Sequence, residues 1–244
     1  RECPWDREQT AQTIVPHTIE EAFEVADAVA RGGAGLADEL GDLLFQSVFH
    51  ARMAEEAGAF DIDDVVRALV DKMVARHPHV FGSASVDSAE AQTGAWEVMK
   101  AAERAEKANG SPASALDGVA FGLPALVRAE KLTKRAGRVG FDWPSPEPVL
   151  DKLQEEIHEL QEAIAAPQLD QAHVAEELGD ILFVVANLCR KLSVDPEEAL
   201  RSANAKFQKR FSGMEELARS RGLDFANLTL DEQEALWTDV KASE

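Results

Sequence analysis

The chain has 244 residues, which at roughly 100–200 residues per domain allows one large domain or two small ones, each able to bury a core. Its 25 Lys and Arg face 45 Asp and Glu, for a formal net charge of -20; a field of that sign repels phosphate backbones and anionic membranes and excludes general nucleic-acid binding. No apolar run approaches the roughly 20 residues of a membrane span, and no cationic stretch precedes an apolar one at the N-terminus, so the expected location is the cytoplasm.

Ala, Leu, Glu, Val and Arg dominate most stretches, the preferences of helices rather than strands, and no alternating strand pattern stands out. In chain order the pattern predicts helices over 16–30, 36–56, 62–76, 94–108, 123–136, 146–165, 171–192, 196–221 and 230–242. Breaks fall at Gly32-Gly33, Gly58, Pro78, Gly110-Ser111-Pro112, Pro144, Pro167 and Gly222. The segment 83–122, rich in Ser, Ala and charge, is expected to be a partly helical linker between an N-terminal domain, 1–82, and a C-terminal domain, 123–244. Cys3 and Cys189 are too few and too far apart in sequence for a disulfide framework or a thiolate metal site, and both are expected to be reduced. The chain does not begin with Met, which leaves room for an upstream extension.

The chain carries an internal repeat. Glu20-Glu21-Ala-Phe-Glu24 recurs as Glu155-Glu156-Ile-His-Glu159, and Glu39-Leu-Gly-Asp42 recurs as Glu177-Leu-Gly-Asp180. Asp71-Lys72 through Arg76 recurs as Ala205-Lys206 through Arg210, and Trp96 through Lys100 as Trp237 through Lys241. One helical unit is written twice, with acidic, acidic, basic and aromatic elements in the same order.

At about 100° per residue, Leu153, Ile157, Leu160 and Ile164 form an apolar stripe. Glu156 lies at its edge, Glu159 a little beyond, and Glu155 nearly opposite. The helix that follows is apolar almost all round from Ile181 to Leu188 and should be largely buried, with Glu177, Asp180 and Asn187 on one strip of it. Leaving unpaired carboxylates in apolar surroundings costs at least several kcal/mol each, and a divalent cation removes that cost. Oxygen donors without thiolate suit Mg²⁺ or Mn²⁺. The candidate ligands are Glu156, Glu159, Glu177 and Asp180, with Glu21, Glu24, Glu39 and Asp42 as a second set. An isolated Glu-x-x-Glu is usually a solvated face; the duplication is what argues otherwise. Lys206 and Arg210, four apart beside the Phe207, Phe211, Met214 stripe, suit a metal-bound polyphosphate. Trp237 offers a surface for base stacking, and Lys241, one turn on, joins the substrate-binding set.

Together with Cys3-Pro4-Trp5-Asp6, Arg76-His77-Pro78-His79-Val80-Phe81 and Val139-Gly140-Phe141-Asp142-Trp143, these residues resemble the MazG family of nucleoside triphosphate pyrophosphohydrolases over essentially the whole chain. The resemblance implies an all-α fold of tandem MazG-like helical bundles, completed by homodimerisation. It also implies Mg²⁺-dependent hydrolysis of NTPs and dNTPs to monophosphate and pyrophosphate through a metal-activated water. Its acidic signature falls on Glu156, Glu159, Glu177 and Asp180, its triphosphate-binding cations on Lys206 and Arg210, and its base-binding aromatic on Trp237. The second copy is expected to be the catalytic one: Asn187 can hydrogen-bond to substrate where the first copy has Phe49. Ala205 departs from the acidic residue that relatives often carry.

Other readings remain open at this point. A non-catalytic nucleotide-sensing or assembly module would keep the carboxylates but release no pyrophosphate. A narrower dUTPase-like or phosphoribosyl-ATP pyrophosphohydrolase activity lies within the same superfamily. A ferritin-like di-iron bundle needs Glu-x-x-His on two helices, and only Glu155-x-x-His158 is present. The His77-Pro-His79 spacing reads as structural rather than as a Zn²⁺ site.

Overall fold

The computed structural model describes residues 3–107 and 114–243, with the side chains of 104–107 outside the description. The expected Gly110-Ser111-Pro112 break lies outside the described residues. Among those residues there are only helices, and the chain divides into two compact units, Arg1–Glu103 and Arg104–Glu244. The fold is all-α.

In the first unit, α1 (Pro4–Glu8) precedes the long helices α2 (Ala11–Ala30) and α3 (Leu36–Glu56), which pack against each other across a short turn. Then follow α4 (Ile62–Arg76), α5 (Pro78–Phe81) and α6 (Ala89–Lys107). Helix α2 begins five residues before the Pro16 start that the sequence suggests. The reason is a reciprocal cap: the Thr13 amide donates to Thr10 Oγ1 at 3.3 Å and the Thr10 amide to Thr13 Oγ1 at 2.9 Å, and these bonds outweigh the one backbone bond that Pro16 cannot make. Helix α6 starts inside the segment expected as linker. It is tied to α4 by the Trp96 indole N–H donating to the Arg76 carbonyl at 2.8 Å and by an Arg76–Glu103 ion pair at 2.9 Å. His77 sits between α4 and α5, its Nδ1 2.8 Å from the Met73 carbonyl and its ring edge-on to Trp96.

In the second unit, α7 (Ala125–Arg138) and α8 (Glu147–Ala165) both pack on α9 (Gln171–Lys191), while α10 (Pro196–Ser220) packs on α11 (Leu230–Ala242) after a single 3₁₀ turn at Phe225–Asn227. Met214, Ala218 and Leu236 form the buried centre of the α10–α11 pair, with Leu217, Phe225, Leu228, Trp237 and Val240 around them. Gly213 lets the two helices close up: a Cβ there would stand 3.0 Å from Val240 Cγ1.

The expected burial of α9 is met in part. Glu177, Val184, Ala186 and Asn187 are buried, but Leu178, Leu182 and Phe183 are 46%, 56% and 42% exposed. Their counterparts on α3, Leu40, Leu44 and Phe45, are exposed to the same degree. Helical periodicity fixes which face is apolar; it does not say that the same chain covers it.

Helix α9 ends in a double hydrogen bond, Ser193 N–H to the Arg190 carbonyl at 3.2 Å and Val194 N–H to the Cys189 carbonyl at 2.8 Å. This closure needs a left-handed residue at the turn. Ser193 supplies it at φ 57°, whereas Gly58 does so at the matching end of α3. Ser193→Gly is therefore expected to stabilise the second unit by about 1 kcal/mol. Urea denaturation would show it as a raised midpoint at unchanged slope; a lowered midpoint contradicts the reading.

Candidate active site

Two helices build the acidic site of the second unit. Glu156 and Glu159 project from α8, where i and i+3 share a face. Glu177 comes from the second turn of α9, whose start is fixed by Asp170 accepting from the Ala172 and His173 amides. Carboxylate oxygens of all three lie within 4.8 Å of one another, with Glu156 and Glu177 buried and Glu159 half-buried. Glu155 points outward, paired with Lys152 at 2.6 Å. Burial, and then the charge of Glu156, push the Glu159 carboxyl above its ordinary range; Lys152 opposes this and Glu177 adds to it. Three acidic groups thus crowd at a spacing that favours either a shared proton or a cation.

Two groups beside the cluster were not singled out from the sequence. Lys152 Nζ lies 2.7 Å from Glu156, and its own pKa is raised by Glu155 and then Glu156. His173 Nδ1 lies 3.3 Å from Glu177. The i to i+4 spacing of Lys152 and Glu156 was the available signal. In the first unit His17 occupies the place of Lys152 and approaches Glu20 at 3.6 Å instead.

The remaining candidates are placed differently. Asp180 stands one turn along α9 from Glu177 and is exposed. Asn187 is buried two turns further on, its Oδ1 accepting from Arg190 Nε at 3.0 Å and Nη2 at 2.6 Å. On α10, Lys206 is exposed and Arg210 is half-buried, its guanidinium 5.6 Å from the Trp237 ring centre. Trp237 also packs on Phe207 at 5.6 Å between centroids, and Lys241 is exposed. The structure therefore gathers Glu156, Glu159 and Glu177 in one group and Arg210 and Trp237 in another.

The first unit repeats the acidic trio. Oxygens of Glu21, Glu24 and Glu39 also lie within 4.8 Å, with Glu24 exposed and the other two half-buried. Burial, then Glu21 and Glu20, raise the Glu24 pKa, and Asp42 contributes.

The comparisons decide the family. The model of the MazG nucleotide pyrophosphohydrolase domain matches residues 9–81 and again 144–213. The chain belongs to the MazG family. Each MazG match spans one acidic trio. The chain is 47% identical over 243 residues to the nucleoside triphosphate pyrophosphohydrolase of Escherichia coli K12, covering 99% of this chain and 91% of the relative. It is 42% identical to a nucleoside triphosphate pyrophosphohydrolase/pyrophosphatase MazG of Thermotoga maritima, over 99% of this chain and 90% of that one. A nucleoside triphosphate pyrophosphohydrolase of Mycobacterium tuberculosis matches at 43% over 57% of this chain and 41% of its own length. Among the described residues no helix is long and apolar enough to cross a membrane.

Proposed function

We propose that this MazG chain hydrolyses nucleoside triphosphates to the monophosphate and pyrophosphate, at a site in its second unit that holds Mg²⁺ or Mn²⁺ through Glu156, Glu159, Glu177 and Asp180. The observation that carries the reading is the convergence of three glutamates from two helices, two of them buried, within 4.8 Å. All donors are carboxylate oxygens, which fits a hard divalent cation. Such a cation would lower the pKa of a water and neutralise phosphate charge.

The chain's own groups do the rest. Glu156 and Glu177 hold fixed positions because α8 and α9 pack on each other, and the ion pair with Lys152 at 2.7 Å keeps the Glu156 side chain in place. Asp180, on the strip of Glu177, completes the oxygen set when the nucleotide is bound. A glutamate of the group orients the attacking water and accepts its proton. Lys206 and Arg210 steady the triphosphate and the departing pyrophosphate. Trp237, packed on Phe207, supports the Arg210 head from below. Asn187 hydrogen-bonds to the substrate, and Lys241 lies on the same helix as Trp237 to reach it. The matching glutamates of the first unit form a second, less buried site with Phe49 in the place of Asn187.

The test is a panel of NTPs and dNTPs with Mg²⁺, scoring pyrophosphate against orthophosphate. Pyrophosphate with equimolar monophosphate is expected. Nucleotide binding with no pyrophosphate would instead make the chain a sensor or assembly module.

The uncovered face of α9 supports a homodimer. Leu178, Leu182 and Phe183, about half exposed, lie on the helix that carries Glu177, and a second copy laid over them buries that face. Leu182→Glu is expected to convert a dimer into a monomer in light scattering and to lower turnover at least tenfold, by about the cost of one charge in an apolar interface. A monomeric unsubstituted chain contradicts this.

A further inference from the structure

The two acidic trios have different neighbours. Ile14 and Ala28 on α2 are buried, and so are their counterparts Val149 and Ala163 on α8, so the repeat keeps those apolar contacts. Three other positions change character. Thr18, Gln46 and His50 in the first unit stand where the second has Leu153, Val184 and Leu188. Two of the polar three satisfy each other: the Thr18 hydroxyl donates to the Ile14 carbonyl at 3.2 Å and is left to accept from His50 Nε2, 3.0 Å away. Gln46 is not satisfied in this way. It is 6% exposed, and its Oε1 is buried with no hydrogen-bond partner. A buried acceptor left so is costly, and the buried Val184 shows that an apolar side chain serves the fold at that position.

The Thr18–His50 bond fixes the level at which that oxygen stands. Helices α2 and α3 form an antiparallel pair across a short turn. One turn on from Thr18 along α2 is Glu21, and one turn back from His50 along α3 is Gln46, so Glu21 and Gln46 share a level. Helical side chains lean toward the N-terminus of their own helix. Gln46 therefore leans along the strip that it shares with Glu39, seven residues earlier. The orphaned oxygen belongs beside the trio of Glu21, Glu24 and Glu39, whose own oxygens lie within 4.8 Å of one another. Ionised carboxylates and an amide oxygen only accept, and what four such oxygens can share is a cation.

We propose that the first unit holds an ion of its own, with the Gln46 amide oxygen as a neutral ligand beside Glu21, Glu24 and Glu39, and that this set selects Ca²⁺ where the second unit takes Mg²⁺ or Mn²⁺. Ca²⁺ accepts roughly six to eight oxygens in flexible geometry, amide carbonyls among them, whereas Mg²⁺ gives up its waters reluctantly and is held through one or two carboxylates and substrate phosphates. Val184 offers the second unit no such oxygen. The ion of the first unit ties α2 to α3 and takes no part in turnover. The proposal rests on the cation reading of the acidic trios and not on triphosphate hydrolysis.

Titration calorimetry with CaCl₂ and with MgCl₂, in about 0.15 M KCl to screen loose counterions, tests this on the full chain carrying Glu156→Gln and Glu177→Gln, which silence the second set. One Ca²⁺ per chain is expected, bound at least about tenfold more tightly than Mg²⁺. Gln46→Val gives the first unit the residue of the second. It is expected to weaken Ca²⁺ by about tenfold or more and Mg²⁺ by less than about twofold, while the ion-free chain melts no lower. A merely structural Gln46 would instead lower the ion-free melting temperature and leave both affinities alone. Glu39→Gln is expected to abolish binding of either ion. Absence of saturable Ca²⁺ binding, or Mg²⁺ bound as tightly as Ca²⁺, overturns the proposal. So does a Ca²⁺ affinity that Gln46→Val leaves unchanged, which would mean that a water satisfies the amide. No nucleotide enters this assay, so a chain that binds Ca²⁺ as expected yet releases no pyrophosphate from Mg²⁺-NTP overturns the catalytic reading and leaves this site standing.

Discussion

Glu177→Gln is expected to lower kcat/KM for Mg²⁺-NTP hydrolysis by about 10²–10³-fold. The substitution conserves volume and removes one charge from the centre of the trio. Glu177 is 7% exposed and is the only member contributed by α9, so neither Glu156 nor Glu159 can replace it from α8. A purely structural role would give a different signature. An amide in the place of one of three crowded carboxylates relieves the repulsion that raises the Glu159 pKa, so the metal-free variant is expected to melt no lower than the unsubstituted chain at neutral pH. Activity lost together with stability would point to a packing role. The corresponding Glu39→Gln in the first unit, whose trio is less buried and where Phe49 stands at the position matching Asn187, is expected to retain turnover within about twofold. An equal loss in both variants would mean that the two units share the chemistry.

Legibility in the sequence followed the range of the interaction concerned. Helices α3, α4 and α11 have the bounds read from the pattern, because Gly35, Asp61 and Thr229 stand at their starts and the caps at Asp61 and Thr229 are made within three residues. The misplaced start of α2 shows the same locality from the other side: Pro16 is a strong signal, but the Thr10–Thr13 box ahead of it overrides it. Helix α5 and the 3₁₀ turn are too short for any period to reveal. The grouping of Glu156, Glu159 and Glu177 could be approached from sequence only because the unit is written twice, so that helix spacing and order could be compared between copies. An ion pair of 2.6 Å between Asp142 and Arg190 joins residues 48 apart, and no spacing rule reaches across that distance. The half-covered state of α9 was illegible for another reason. An apolar face records that something must cover it, and Leu182 reads the same whether the cover is α8 or a second molecule.

Mg²⁺ is expected to raise the melting temperature of the second unit by about 5–10 °C at pH 7.5 when present at about a hundredfold over its dissociation constant. Binding to the folded state alone contributes about 2.7 kcal/mol at that ratio, and a unit of this size gains roughly 2–4 °C per kcal/mol. The pH dependence has a definite sign. The Glu159 pKa is raised in the folded chain, so over the interval between its unfolded and folded values the folded state holds a proton that the unfolded chain has released. Without a cation, stability therefore falls as pH rises through that interval, and the penalty is fully present above the folded value. A cation takes the place of the proton. The Mg²⁺ increment is expected to be largest above the raised pKa and to vanish as the pH falls below it, where protons and metal compete for the same oxygens. Scanning calorimetry at pH 7.5 and at pH 4, with and without Mg²⁺, separates this from nonspecific screening, which would stabilise a chain of net charge -20 with any salt. A Glu156→Gln, Glu177→Gln double variant supplies the control: an undiminished Mg²⁺ increment in it would place the ion elsewhere.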